Sequence, residues 1–302
     1  MRGRRNRVYR EGCAHHLYLK ALEGNVLFYR TEDYIFFLTL CYVLTRRHGI
    51  GLEAFCIMFN HFHAFVKPVP REVFTDFCRD LQSIFAKEYS KEYRRSGPLM
   101  MEAGYAPKSS HKSILSCLVY IFNNPVAGKI TRNAPDYKWN LLAYTASANP
   151  YSEKIVKRRC SSRMRRALGV VDLSFKQGLY LNYAIQKRIF QSLTGAEKKQ
   201  AVDYIVNIFY PVDKYAVIRR FESYEKAVTA MNASTGAEND LSEPWEDYSV
   251  YLRMLRATLS SKLDFCDYRF HEMGEDDQVY LRRILSRVPG CTQEHLSRFL
   301  HL

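Results

Sequence analysis

The fold of this chain is decided by residues 54–66, which read AFCIMFNHFHAFV. The run is apolar except near Asn60 and at two histidines, His61 and His63. On a strand, residues two apart share one face, so both imidazoles project together. The pair is either two polar residues on a solvated strand face or a site for one divalent metal ion. Because unpaired imidazoles are costly to bury, this apolar context favours the metal site.

A tyrosine downstream is the candidate nucleophile. Tyr120 lies in VYIFNNPV, residues 119–126, among apolar neighbours that by default indicate a packed core tyrosine. Asn124 is four residues further on and so shares its helix face. Pro125 disfavours continued helix at Asn124, so the sequence predicts that both side chains lie at an exposed helix end.

Four motifs in order extend this pattern: Asn60-His61-Phe62-His63, Gly97-Pro98-Leu99, Tyr120 to Val126, and Asp136-Tyr137-Lys138-Trp139. From about residue 8 to residue 144 the chain resembles the single-tyrosine HUH transposases, specifically the REP-associated tyrosine transposases. It departs from them at Phe59, where proline is usual, and at Phe122, where histidine is common. One residue is also missing after Val126.

The resemblance implies an α+β fold, with a ferredoxin-like antiparallel sheet and helices in an HUH endonuclease domain. It implies that His61 and His63 bind a divalent metal ion and that Tyr120 attacks DNA. Asn124 is the polar candidate for a third ligand. A shell of nitrogen and oxygen suits Mn²⁺ better than Mg²⁺, although both ions remain candidates.

The implied activity is that of a transposase-like endonuclease and strand transferase. It would cleave single-stranded, hairpin-containing DNA and form a 5′-phosphotyrosine link. The rival hypothesis is a domesticated or inactive relative that binds DNA hairpins without cleaving them. A relaxase or replication initiator is a third reading, and nothing in the sequence resembles an ATP-binding loop. A monomer and a homodimer both remain open.

The charge predicts a polyanionic partner, because the chain carries +14 and has a pI near 9.4. The arginine-rich start supplies Arg4, Arg5 and Arg7 as candidate DNA contacts. Lys108 and Lys112 are further candidates, in a segment from Arg94 to Lys112 that is expected to be a loop near the site. A second cluster of cations, at residues 154–166, indicates either a solvated basic linker or a DNA contact.

The length predicts two domains, an HUH nuclease domain over residues 1–150 and a helical region over 151–302. In the first, strands are expected at 14–21, 52–58 and 61–68, and helices at 31–47, 71–94 and 110–124. In the second, helices are expected at 178–192, 196–209, 213–231, 244–259 and 276–288, with a linker at 232–243. Residues 276–302 form either a DNA-binding helix-turn-helix or two terminal helices packed on the body.

The cysteines and the hydropathy indicate a cytoplasmic protein without a membrane partner. The 8 cysteines are scattered singly and form no CxxC pair, which argues against zinc fingers and redox dithiols. The longest apolar run, Tyr34 to Leu44, is about half of the roughly 20 residues that a membrane-spanning helix needs. The N-terminus has no apolar stretch typical of a signal peptide.

Overall fold

The computed structural model describes residues 7–233, 247–261, 263 and 267–302. Its centre is an antiparallel sheet with the strand order β2-β3-β1-β4. The strands are β1 (Ala14–Lys20), β2 (Leu52–Ile57), β3 (His61–Val66) and β4 (Gly104–Lys108). The first helices are α1 (Thr31–His48), α2 (Arg71–Glu92) and α3 (His111–Ala127). The chain is thus an α+β protein, as the sequence predicts.

Strand β4 corrects the expectation of a loop from Arg94 to Lys112. Its five residues, GYAPK, contain glycine and proline and so give little strand signal. The strand is the last in the sheet order and pairs with β1, while Tyr105 on its outer edge forms a single bridge to Arg7; the missing N–H of Pro107 is tolerated at such an edge. A Cβ built on Gly104 would lie 2.1 Å from the Tyr18 ring, so a glycine is needed for this close packing.

The two faces of the sheet differ in chemistry. Phe62 of β3 packs on the α1 and α2 side, where its ring centroid lies 4.9 Å from that of Phe37. Phe37 in turn lies 5.0 Å from Phe85 of α2. The opposite face carries His16 of β1 together with His61 and His63 of β3, and α3 packs across it.

Helix α3 continues three residues beyond the end expected at Asn124. Pro125 lies inside it, and Gly128 N donates to Asn124 O at 2.9 Å after the last turn. Proline removes one hydrogen bond from the final turn. Asn123, Asn124 and Pro125 are all buried, and this packing holds the turn in helical form.

The rest of the described chain is helical. Its helices are α4 (Ala143–Ala146), α5 (Ser162–Lys176), α6 (Tyr183–Phe190), α7 (Gly195–Ile208), α8 (Ala216–Phe221), α9 (Tyr224–Ala233), α10 (Ser249–Ser260), α11 (Glu275–Ser286) and α12 (Gln293–Leu300). The helix expected at 213–231 is two helices, because Glu222 has a φ of +68° and Ser223 caps the second. The expected linker at 232–243 lies outside the described residues from 234 onward.

Two apolar cores hold these elements together. The first includes buried residues from Ala14 to Met231, so α5 to α9 share a core with the sheet. The domain boundary at residue 150 stays a prediction, since this packing unit extends beyond it. The second core joins α10, α11 and α12 to Val26 and Phe59.

The last two helices are held on the body of the protein. Tyr29 Oη donates to Phe299 O at 2.7 Å, and Val26 N donates to Arg298 O at 3.0 Å. Arg298 also pairs with Glu294 at 2.6 Å. A DNA-reading role for residues 276–302 stays a prediction. None of the described helices is long and apolar enough to cross a membrane.

We expect Gly104→Ala to lower the free energy of unfolding by about 1–3 kcal/mol, because the added methyl group overlaps the Tyr18 ring. Gly169→Ala is the matched control, because Gly169 is an exposed residue of α5 and a Cβ added to it meets nothing within 4 Å. It should raise stability by about 1 kcal/mol through helix propensity. Urea unfolding measures both values. Wild-type stability of the Gly104 variant would contradict the close packing of β4.

Candidate active site

The candidate site begins on two paired strands. His61 and His63 lie on one face of β3, with ring centroids 4.8 Å apart. In the antiparallel register, Tyr18 of β1 lies opposite His63. His16 is two residues from Tyr18, so its imidazole projects from the same face. The ring centroids of His16 and His63 are 5.1 Å apart.

Helix α3 brings the predicted nucleophile to these histidines. The Tyr120 ring centroid lies 5.3 Å from that of His63 and 5.7 Å from that of His16, edge-on to both. One turn further along, Asn124 Oδ1 lies 3.2 Å from His61 Nε2. The structure therefore brings together His61, His63, Tyr120 and Asn124, the four residues that the sequence singles out.

Asn60 determines which nitrogen of His61 carries a proton. Its Nδ2 donates to Gly24 O at 2.9 Å, which leaves Oδ1 to face His61 Nδ1 at 2.7 Å. An amide oxygen only accepts, so His61 Nδ1 is the donor. In the neutral ring, the lone pair is then on Nε2 and points at Asn124 Oδ1. Two acceptors that face each other in this way suit a cation bound by both.

His16 plays the corresponding part for His63. His16 Nε2 and His63 Nδ1 are 3.0 Å apart, and one of them must donate to the other. His63 Nε2 is buried and has no hydrogen-bond partner within the described part of the chain. Burial, followed by the charges of His61, His16 and Lys20, lowers the pKa of His63 well below its usual value. His63 is therefore neutral at physiological pH and can offer a lone pair.

These donors fit a divalent metal ion. The described residues contain no cluster of three or more His, Cys, Asp or Glu side chains that could hold one. Two imidazole nitrogens and the Asn124 amide oxygen form a different, partial set, in which His16 acts only through His63. With the Nε2 lone pair of His63 facing the ion, His63 Nδ1–H donates to His16. Water and phosphate oxygens would fill the remaining positions.

The site is buried, contrary to the exposed helix end that the sequence predicts. Tyr120 is 6% exposed, and His61 and Asn124 are no more accessible. Tyr248, just before α10, lies over His61, with 3.4 Å between its hydroxyl and His61 Nδ1. It also packs against Gly128, where a Cβ would lie 2.7 Å from the Tyr248 ring.

Sequence reasoning missed both His16 and Tyr248. His15-His16 interrupts an apolar strand just as His61 and His63 do, so the same signal could have found it. For Tyr248 there is no comparable signal, because its position follows only from the packing of the second core.

The five predicted DNA contacts have different surroundings. Arg4 and Arg5 lie outside the described residues. Arg7 is ion-paired with Glu102. Lys108 is 3% exposed, so its ammonium does not face solvent in this structure. Lys112, at the start of α3, is exposed.

Comparisons with known proteins place this chain far from them. No family model matches it, and no curated protein matches it. Among solved structures, a REP-associated tyrosine transposase bound to a REP hairpin matches with a TM-score of 0.40 and 14% sequence identity. The match covers 52% of this chain and 93% of that chain.

We expect His16→Leu to weaken Mn²⁺ binding by about 10–100-fold, because His63 Nδ1 loses the acceptor that orients its ring. His16→Gln retains an acceptor oxygen and should recover part of the affinity. Isothermal titration calorimetry measures this directly. His48→Leu is the control, since His48 pairs with Asp80 on α2 and should leave binding unchanged. Wild-type affinity in His16→Leu would contradict the orienting role.

Proposed function

We propose that this protein is a metal-dependent endonuclease and strand transferase that cleaves single-stranded DNA next to a hairpin, with Tyr120 as the nucleophile. The observation that carries the proposal is the packing of Tyr120 and Asn124 against the His61 and His63 pair. The β-α-β-β-α-β order and the strand order β2-β3-β1-β4 support a ferredoxin-like HUH domain. The four motifs of the HUH transposases point the same way.

In the proposed reaction, Tyr120 Oη attacks a backbone phosphorus and loses its proton. The bond from phosphorus to the 3′ oxygen breaks, and that oxygen gains a proton that balances the one Tyr120 loses, which leaves a free 3′-hydroxyl and a 5′-phosphotyrosine. Attack by a 3′-hydroxyl on this link reverses the step and joins strands. Because the link retains the phosphodiester energy, no nucleotide cofactor is needed.

The chain's own residues prepare this step. A phenol with a pKa near 10 is a poor nucleophile at neutral pH and needs help. A divalent ion, Mn²⁺ or Mg²⁺, held by His61, His63 and Asn124 supplies charge neutralisation at the phosphate. Asn60 and His16 hold the two imidazoles in the tautomers that this binding requires. Low exposure of the site strengthens these electrostatic interactions.

A non-catalytic hairpin-binding protein is the second candidate, and the burial of Tyr120 favours it. With 6% of its surface exposed, Tyr120 cannot meet a phosphate until a covering group moves. If the groups that bury Tyr120 do not move, the positive charge of the chain still permits DNA binding without cleavage. Oligomeric state and cytoplasmic location stay predictions.

We expect wild-type protein to form a denaturation-resistant adduct with single-stranded DNA from the flanks of its own gene, in Mn²⁺ but not in EDTA. A label at the 3′ end of the strand should move with the protein, whereas a 5′ label should leave on a fragment ending in a 3′-hydroxyl. Tyr120→Phe should abolish the adduct because it lacks the attacking oxygen. Gel electrophoresis under denaturing conditions measures the adduct.

Tyr105→Phe is the matched control for this experiment. Tyr105 lies opposite Leu17 in the sheet, on the face away from His16, His61 and His63, so the Tyr105→Phe variant should form the adduct as the wild type does. An adduct that persists in Tyr120→Phe would rule out Tyr120 as the nucleophile. A retained gel shift without any adduct in the wild type would favour the binding-only protein.

A further inference from the structure

Positive charge is dense in residues 151–199. The segment holds twelve Lys or Arg against three Asp or Glu, so these 49 residues carry a net +9, as much as residues 1–150. The structure folds it into a 3-10 turn at Lys157–Arg159 and helices α5, α6 and α7. Lys154 and Lys157 to Arg159 lie in the connection between α4 and α5, whereas Arg163, Arg165 and Arg166 lie in α5, so the cluster is part linker and part helix.

Eleven of these cations are exposed and have no acidic partner among the described residues. Eight of the eleven lie just before α5 or at the starts of α5 and α7: Lys154, Lys157, Arg158, Arg159, Arg165, Arg166, Lys198 and Lys199. Arg163, in contrast, donates to Glu197 at 2.8 Å. Unpaired like charges that lie close together repel one another, and a polyanion bound over them relieves that repulsion.

Side-chain contacts hold the segment before α5 and the start of α5 beside the start of α7, which carries Lys198 and Lys199. Ser161 Oγ donates to Glu197 Oε1 at 2.6 Å, next to the pair of Arg163 with Glu197. Gln200 Nε2 donates to Glu153 O at 3.1 Å. These contacts fasten the start of α5 to the start of α7. We call the eight unpaired cations together the α5–α7 basic face.

A groove runs beside the basic face. Its larger cavity, of about 610 Å³, is lined by Arg94, Lys187 and Lys198 among others. A second cavity, of about 310 Å³, shares Lys198 and adds Lys138 and Lys199. Together the two linings contain six Lys or Arg and two Glu, so the groove extends the positive surface.

Residues next to the groove also contact α3, the helix that carries the candidate nucleophile Tyr120. Lys138 and Trp139 line the groove, and the next residue, Asn140, donates from Nδ2 to Phe122 O of α3 at 3.2 Å. Phe122 is two residues from Tyr120. DNA held at the groove is therefore held by elements that pack directly on α3.

We propose that the α5–α7 basic face binds the phosphate backbone of a duplex DNA stem. This inference rests on the proposed action on hairpin DNA and names where the stem is held. Long, exposed cations without a base-reading helix between them suit backbone contacts rather than sequence recognition. A duplex carries one charge per about 1.7 Å of its axis, so several phosphates lie within reach of such a face.

The test measures binding of the protein to a labelled DNA hairpin with a stem of one helical turn, at a series of salt concentrations in EDTA. Fluorescence anisotropy gives the binding constant K at each concentration. Lys157→Ala/Arg158→Ala/Arg159→Ala should reduce the slope of log K against log salt by about 3, since each phosphate contact contributes about 0.9. Affinity near physiological salt should fall about 100-fold on the same basis. Lys198→Ala/Lys199→Ala should reduce the slope by about 2.

Arg46→Ala/Arg47→Ala is the matched control. These two exposed cations lie at the end of α1 opposite the groove, so the slope should not change. Thermal unfolding should be the same in all variants, because every substituted side chain is exposed.

An unchanged slope in both basic-face variants would overturn the inference. An equal reduction of the slope in the Arg46→Ala/Arg47→Ala control would overturn it as well. Tighter binding of an RNA hairpin of the same sequence would overturn the assignment to DNA. Because EDTA removes catalysis from the measurement, the expected slopes without a Tyr120 adduct would refute the proposed reaction and support the stem-binding face.

Discussion

The site depends on hydrogen bonds that allow three imidazoles to lie inside a protein core. A buried polar group without a hydrogen-bond partner costs about 1–3 kcal/mol or more, so the protein must supply a partner for each imidazole ring. Asn60, held by its hydrogen bond to Gly24 O, accepts a hydrogen bond from His61 Nδ1, and His16 Nε2 lies beside His63 Nδ1. The antiparallel pairing of β1 with β3 makes the second contact possible, because it brings His16 and His63 to neighbouring positions on one face. One nitrogen of each β3 histidine is left to bind a ligand.

The packing that assembles the site also closes it. Helix α3 must lie against the histidine face for Tyr120 to reach His63, and this contact leaves the tyrosine 6% exposed. Tyr248 then covers His61, and Phe59, next to Asn60, belongs to the core of α10, α11 and α12. In the proposed reaction, a phosphate therefore reaches His61 after Tyr248, the residue just before α10, has moved.

The sequence predicts strands β2 and β3 well because both lie largely in one apolar stretch, residues 54–66, which is interrupted by His61 and His63. That pattern can be seen from neighbouring residues alone. The shared helix face of Tyr120 and Asn124 follows from helix periodicity. Their closeness to the histidines is what the resemblance to the HUH transposases implies. Strand β4 was missed because its pairing with β1 is a tertiary contact and its residues have low strand propensity. His16 was missed for a related reason, since nothing local shows which strand lies beside β3. Helix α5 was not predicted because its first turns are rich in arginine and show little apolar periodicity, although Ser161 caps its start.

The most direct test of the assembled site is a crystal structure of the protein soaked with Mn²⁺, with the ion located by its anomalous scattering. The account predicts one ion bonded to His61 Nε2, His63 Nε2 and Asn124 Oδ1, on the side of the histidines that faces Tyr120. Failure to bind an ion there at saturating Mn²⁺, or an ion bound only at other residues, would contradict it.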